Sequence, residues 1–312
     1  MCGISRVVTQ AASTHASASV ISTRPYFNCT RLNPSTFLIV EHDKWEESPF
    51  IYVKLYPSTI VIIDSGTGGA VNNPDAPTTL RNFLENEPVL DNDGWPLNPG
   101  SAKPYTVILS HGHYDHLGGL AEFSQTPCSD QIWASVLGKD IMHSPDRLNK
   151  SSLSSYIGMK TPQFQVSNWA IDSQPVIDRQ GNDLDLVIYQ TPGHTPDELA
   201  VWDPKERYLF VGDTAYDNGP ILSCKVSWAA GIGKIRQDPV KMGGGHLVSS
   251  TNAGEFLSEL STFYDDIKDG KIEPLSEDKM EWVPDWLPGE EVQEYDRADK
   301  RFWFVGPKRY FD

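Results

Sequence analysis

Runs of β-branched and aromatic residues, each closed by turn-forming residues, dominate the first half of the chain. Thr36–Val40, Phe50–Tyr56 and Thr59–Ile63 have strand composition, and Pro57-Ser58 separates the last two. A helical stretch around Leu80–Leu84 and a loop rich in Gly, Pro and Asn precede a further apolar run, Tyr105–Leu109. In the second half, Leu184–Tyr189, Glu198–Trp202 and Arg207–Val211 predict three consecutive strands. Gly254–Ile267 carries the clearest helical period, with Phe256, Leu260, Phe263, Tyr264 and Ile267 on one face. Asn252, with Glu255 three residues later, supplies a capping start for that helix. Phe302–Val305 predicts a last strand. Strand-rich stretches in both halves, each followed by helical ones, imply two mixed sheets sandwiched by helices rather than one alternating sheet.

Two stretches stand apart. Residues 1–40 contain no Asp or Glu, while Arg6, Arg24 and Arg31 make them basic. Residues 1–35 are expected to form an N-terminal arm that leads into the first strand. No apolar core of a secretory signal occurs there. Basic, Ser-rich composition also suits a mitochondrial presequence, but Pro25 and the β-branched Val20, Ile21 and Thr23 oppose an amphipathic helix. A cytoplasmic location is therefore expected, with a mitochondrial one as the alternative. Residues 36–312 then make a single domain whose acid-rich segment 270–300 is expected to be irregular and solvated.

Charge and length narrow the function. The 312 residues suffice to bury roughly three quarters of the unfolded surface. With 42 acids against 26 bases the formal charge is -16, a field that opposes a nucleic-acid partner. No stretch approaches the ~18 apolar residues that span a bilayer. Cys2, Cys29, Cys128 and Cys224 lack paired spacing, which excludes a thiolate zinc site and fits a reducing compartment. A small-molecule substrate is the expected partner, and no motif marks a protein or membrane one.

Chemistry concentrates in Ser110-His111-Gly112-His113-Tyr114-Asp115-His116-Leu117-Gly118-Gly119, directly after the run Tyr105–Leu109. Three imidazoles and a carboxylate so close together repel when the rings are charged, and they suit a shared metal when the rings are neutral. Three later pieces look alike. His194 sits in Thr191-Pro192-Gly193-His194-Thr195-Pro196, after Leu184–Tyr189. Asp213 sits in Gly212-Asp213-Thr214, after Arg207–Val211, and His246 ends Gly243-Gly244-Gly245-His246 ahead of the strong helix. Singly, each has an ordinary explanation as a turn or surface residue. Together they complete a ligand set that takes five of the eight histidines and leaves His15, His42 and His143 without context.

This order, His-x-His-x-Asp-His followed by a distant His, an Asp and a final His, resembles the metallo-β-lactamase superfamily over about residues 36–268. The resemblance implies an αββα sandwich, an α/β fold of two mixed sheets flanked by helices. It implies that His111, His113 and His194 hold one metal, that Asp115, His116 and His246 hold a second, and that Asp213 bridges them. Asp64, in Val61-Ile62-Ile63-Asp64-Ser65-Gly66, matches the family's early Asp, which supports the site by hydrogen bonding. The nitrogen-rich set favours two zinc ions, with other divalent metals open.

The implied reaction is hydrolysis, with a water activated by the metals attacking the carbonyl of a small cyclic ester or amide. Asp115 and Asp213 would orient that water. Tyr216 matches a Tyr of lactone-opening members, three residues after Asp213, and would hydrogen-bond the developing oxyanion or protonate the leaving oxygen. Thr191–Trp202 and Val211–Tyr216 are similar to fungal members that open lactams of plant defence compounds, which points to detoxification. A glyoxalase II-like thioesterase, a nuclease or phosphodiesterase, an iron dioxygenase and a non-catalytic member of the fold are the alternatives. Only 32 residues separate Asp213 from His246, a short spacing for that branch that bears on substrate binding more than on metals. Trp228 and Phe123 are candidates for an aromatic pocket wall.

Overall fold

The computed structural model of the chain describes residues 25–124, 130–215, 220–222, 241–247, 249, 251–275 and 291–311. A first sheet takes seven strands in chain order: β1 (Phe27–Arg31), β2 (Thr36–Glu41), β3 (Phe50–Leu55), β4 (Ile60–Ile63), β5 (Tyr105–Ile108), β6 (Gln131–Ser135) and β7 (Asn168–Ala170). β1 to β4 form an antiparallel meander, and β4 to β7 pair in parallel. The second sheet contains β8 (Gln174–Ile177), β9 (Asp183–Gln190), β10 (Leu199–Asp203) and β11 (Tyr208–Phe210). Beyond β12 (Pro220–Leu222), it is completed by β13 (Lys241–Gly243) and β14 (Thr251–Asn252), in the order β14-β13-β11-β10-β9-β8. β12 instead joins a small third sheet with β15 (Val292–Asp296) and β16 (Trp303–Pro307).

Helices cover both outer faces. On the first sheet they include α1 (Leu80–Asn86), α2 (Tyr114–Leu117), α3 (Leu120–Ser124), α4 (Lys139–Met142) and α5 (Pro145–Ser151); on the second lies α6 (Ala253–Lys268). The alternation of side chains along a strand explains the layering. In β4 and β5, Ile60, Ile62, Tyr105 and Val107 face Leu80, Phe83, Leu84, Leu120 and Phe123. Their neighbours Val61, Ile63 and Ile108 face Ile188, Val201 and Phe210 of the second sheet. Both strands are buried on both faces, as parallel strands between layers must be. Beyond the second sheet, Leu209, Val211 and Met242 pack against Phe256, Leu260, Phe263 and Ile267 of α6. The αββα sandwich implied by the motif is the observed fold.

The expected elements recur with shifted ends, and three expectations change. β1 lies inside the segment expected as an arm, because Phe27–Arg31 pairs in register with Phe37–Glu41. β15 lies inside the segment expected to be irregular, where Glu294 and Tyr295 are buried despite the acidic surroundings. Residues 276–290 of that segment fall outside the described ones. Phe123 belongs to the core, edge-on to Tyr105 with ring centroids 5.0 Å apart, and is no pocket wall. Trp228 falls outside the described residues. Asn252 caps α6 as expected, its side chain accepting from Glu255 N at 3.2 Å.

Candidate metal centre

Parallel pairing of β4 with β5 brings Asp64 and Ser110 out side by side at the same sheet edge. Asp64 turns the chain in the left-handed region, at φ 63°. Its Oδ1 accepts from Ser110 N at 2.7 Å, and its Oδ2 accepts from Ser110 Oγ at 2.8 Å. The same Oδ2 lies 3.0 Å from His116 Nδ1. His113 then stands at the start of α2, whose single turn carries Asp115 and His116 inward. From the second sheet, β9 runs into the turn of His194 and β11 into that of Asp213. β13, parallel to β11, delivers His246, with Gly245 N donating to Gly212 O at 2.6 Å. Gly245 cannot carry a side chain, since a Cβ would overlap Asp213 Oδ1 and lie 2.6 Å from His116 Cε1.

The seven expected ligands converge in two sets. His113 Nδ1 lies 3.0 Å from both His111 Nε2 and His194 Nε2. Asp213 Oδ2 stands 3.6 Å from His194 Nε2 and 4.0 Å from His111 Nε2. In the second set, Asp115 Oδ2 lies 3.0 Å from His246 Nε2 and 3.4 Å from His116 Nε2. Within each set the candidate ligand atoms fall within 4.8 Å of one another. Asp213 touches both sets, with Oδ1 3.4 Å from His116 Nε2 and Oδ2 3.7 Å from His246 Nε2.

Electrostatics prepares these groups for a cation. Burial, joined by the neighbouring His194 ring, pushes His113 down to about 3. Burial and the rings of His116 and His113 likewise hold His111 well below its ordinary value. Both rings are thus neutral, the form that ligates. Burial opposes charge on Asp115 and Asp213, but the rings of His116 and His246 outweigh it and hold both carboxylates well below their usual range. Burial pulls His246 down, yet Asp213 and Asp115 carry it up to about 9. Among the described residues, the buried His116 Nε2 and Asp213 Oδ1 have no hydrogen-bond partner. Two such atoms side by side are costly without a cation between them, so the cluster suits divalent metal ions.

Outer partners fix the rings. His111 Nδ1 lies 3.0 Å from Ser110 Oγ, and His246 Nδ1 lies 2.9 Å from the carbonyl of Glu47. The Glu47 carboxylate accepts from Tyr114 OH at 2.8 Å, and Trp45 packs edge-on against Tyr114. Glu198, fully buried, accepts from Asp213 N at 3.1 Å. Burial and the nearby Asp213 raise its carboxyl well above the ordinary range. Sequence reasoning missed Ser110, Glu47 and Glu198. A signal existed only for Glu198: two acids, Asp197-Glu198, stand directly ahead of the apolar run Leu199–Trp202. Tyr216 lies outside the described residues, as does most of the stretch between Asp213 and His246. His143 stands apart from both sets, against Trp169. Among the described residues, no helix is long and apolar enough to cross a membrane.

Known proteins are similar to this chain in sequence or in fold. The sequence profile of the metallo-beta-lactamase superfamily matches residues 50–260. A protein of Aspergillus versicolor named transcription factor avaE is 32% identical over 271 residues, covering 81% of this chain and 79% of its own. Human acyl-coenzyme A thioesterase MBLAC2 is 25% identical over 168 residues, 52% of this chain and 56% of that protein. The hydroxyacylglutathione hydrolase of Idiomarina loihiensis is 25% identical over 136 residues, 39% of this chain and 42% of that protein. The match thus spans about half the length of the two hydrolases. A metallo-beta-lactamase family protein of Thermus thermophilus shares the fold at a TM-score of 0.58 and 14% identity, over 79% of this chain and 86% of its own. A metallo-beta-lactamase of Erythrobacter litoralis does so at 0.52 and 14%, over 76% and 96%.

Proposed function

Because the chain belongs to the metallo-β-lactamase superfamily, we propose that it is a dinuclear zinc hydrolase that opens a small cyclic ester or amide. The observation that carries this reading is the Asp213 carboxylate, placed within 4.0 Å of imidazole nitrogens from both ligand sets. His111, His113 and His194 would hold one ion and Asp115, His116 and His246 the other, with Asp213 common to both. Five imidazoles against two carboxylates favour zinc. Two such ions would supply a water activated near neutral pH and a Lewis acid for the carbonyl. Asp64 holds His116 in the tautomer that leaves Nε2 free for a metal. Asp115 and Asp213 would orient the nucleophile, and Tyr216 would donate to the carbonyl oxygen as negative charge develops there.

The substrate reading rests on the surroundings of Asp115 and His246. Asp43 and Glu47 stand close enough to Asp115 for their charges to oppose one another. Leu247, next to His246, is exposed, and Trp45 packs edge-on against Tyr114. Acidic and apolar neighbours suit a compact neutral ring better than an anionic glutathione or coenzyme A conjugate. The names of the thioesterase and hydroxyacylglutathione hydrolase relatives support thioester cleavage as a second reading, with the same metal chemistry. Gene regulation, the role named for the Aspergillus relative, sits poorly with a charge of -16. Scattered cysteines support a cytoplasmic setting.

Metal analysis of the purified chain, beside a panel of a homoserine lactone, a benzoxazolinone, lactoyl-glutathione and an acyl-coenzyme A, tests the proposal. Two zinc ions per chain with a ring opened is the expected result. Turnover confined to the thioesters would replace the substrate class. A chain that takes up no metal after reconstitution would end the reading.

A further inference from the structure

Glu198 lies just before β10, and nothing in the ligand pattern requires an acid there. It is nonetheless fully buried, and its carboxylate reaches each of the three chain segments that carry His111, His194 and Asp213. Asp213 N donates to Oε1 at 3.1 Å. The hydroxyl of Thr195, next to His194, donates to Oε2 at 3.4 Å. The same Oε2 stands 3.5 Å from His111 Nδ1. Room for the carboxylate comes from Gly212, whose φ is +52° and where a Cβ would overlap Glu198 Oε1. A side chain joined at once to the backbone of the shared carboxylate, to one imidazole and to the residue beside a second is placed to set their mutual distances.

We propose that Glu198 is a positioning residue of the metal centre, fixing the Asp213 backbone against His111 so that the Asp213 carboxylate meets both ligand sets. This rests on the metal reading of the site. Without Glu198, the ligand segments keep their chemistry but must be ordered by the ion itself, which weakens binding. Loss of such outer partners lowers metal affinity by about 10- to 100-fold.

The test compares the wild type, Glu198→Gln and Glu198→Ala as full-length, zinc-loaded protein titrated with a chromophoric chelator, with thermal melting of the metal-free forms alongside. Gln keeps the volume and an acceptor for Asp213 N, but its amide presents a donor where Thr195 and His111 met an acceptor. Zinc affinity is expected to fall about 10-fold in the Gln variant and toward about 100-fold in the Ala variant. The melting temperature of metal-free Glu198→Gln is expected to stay close to wild type, whereas a merely structural role would move melting and spare affinity. If Glu198→Ala fails to fold, Glu198→Gln still decides. Wild-type zinc affinity in Glu198→Gln overturns the inference alone. A wild type that holds no zinc overturns the dinuclear reading together with it.

Discussion

Gly245 shows how one missing side chain positions two ligands. A Cβ there would overlap both Asp213 Oδ1 and His116 Cε1, so Gly245→Ala must shift these ligands or the loop that carries it. Metal content of that variant, measured by mass spectrometry, is expected to fall below half of wild type while circular dichroism stays native. Full occupancy would show that the loop yields without disturbing the ligands. Tyr216→Phe is expected to slow kcat on lactones by roughly 1–3 kcal/mol of barrier and leave metal content unchanged. Equal kcat would remove the phenol from the chemistry. At this scale the ligands were legible because four sit in one short motif, His194 and Asp213 stand in turns after apolar runs, and His246 ends a glycine run ahead of the strong helix. The outer partners were not. Glu47 acts on His246 through its backbone carbonyl, which carries no residue signature. Ser110 and Glu198 matter only once folding brings β5, β10 and β11 together.

Among the elements, the continuous apolar runs of β4 and β5 and the one-sided face of α6 were readable because burial and periodicity coincide. β13 was not: three residues ending in Gly243 carry no periodicity, and its existence depends on parallel pairing with β11. β15 was masked by charge, although Glu294 is buried and Asp296 is largely covered and paired with Lys300. α6 supplies a test at this scale. Leu260 is fully buried between the second sheet and the small third sheet, so Leu260→Ala should cost about 2–5 kcal/mol in urea unfolding. Asn252→Ala, which removes only the cap, should cost about 1 kcal/mol. Equal losses in the two variants would mean that the helix contributes little packing.

For the whole molecule, the buried carboxyl of Glu41 links stability to pH. It closes β2, is fully buried, and accepts from Thr67 N at 2.7 Å, Thr67 Oγ1 at 2.6 Å and Gly69 N at 2.8 Å. These bonds hold the loop that begins with Asp64, so the group supports the metal centre from the far side of the first sheet. They favour its charge, but burial outweighs them and pushes its pKa from 4.5 up to about 7. A raised carboxyl pKa means that the folded state binds the proton more tightly than the unfolded chain. Its contribution is complete below 4.5 and is lost as pH rises through about 7. The free energy involved is at most about 3 to 4 kcal/mol at roughly 1.4 kcal/mol per pH unit. Urea midpoints of the wild type should therefore decline from pH 5 to pH 8 relative to those of Glu41→Gln, which cannot titrate. The Gln amide sets a new donor against Thr67 N, a constant cost, so the slope with pH is the readout and the height is not. Two parallel curves would show that Glu41 keeps one protonation state across this range, and that the pH dependence of the fold arises elsewhere.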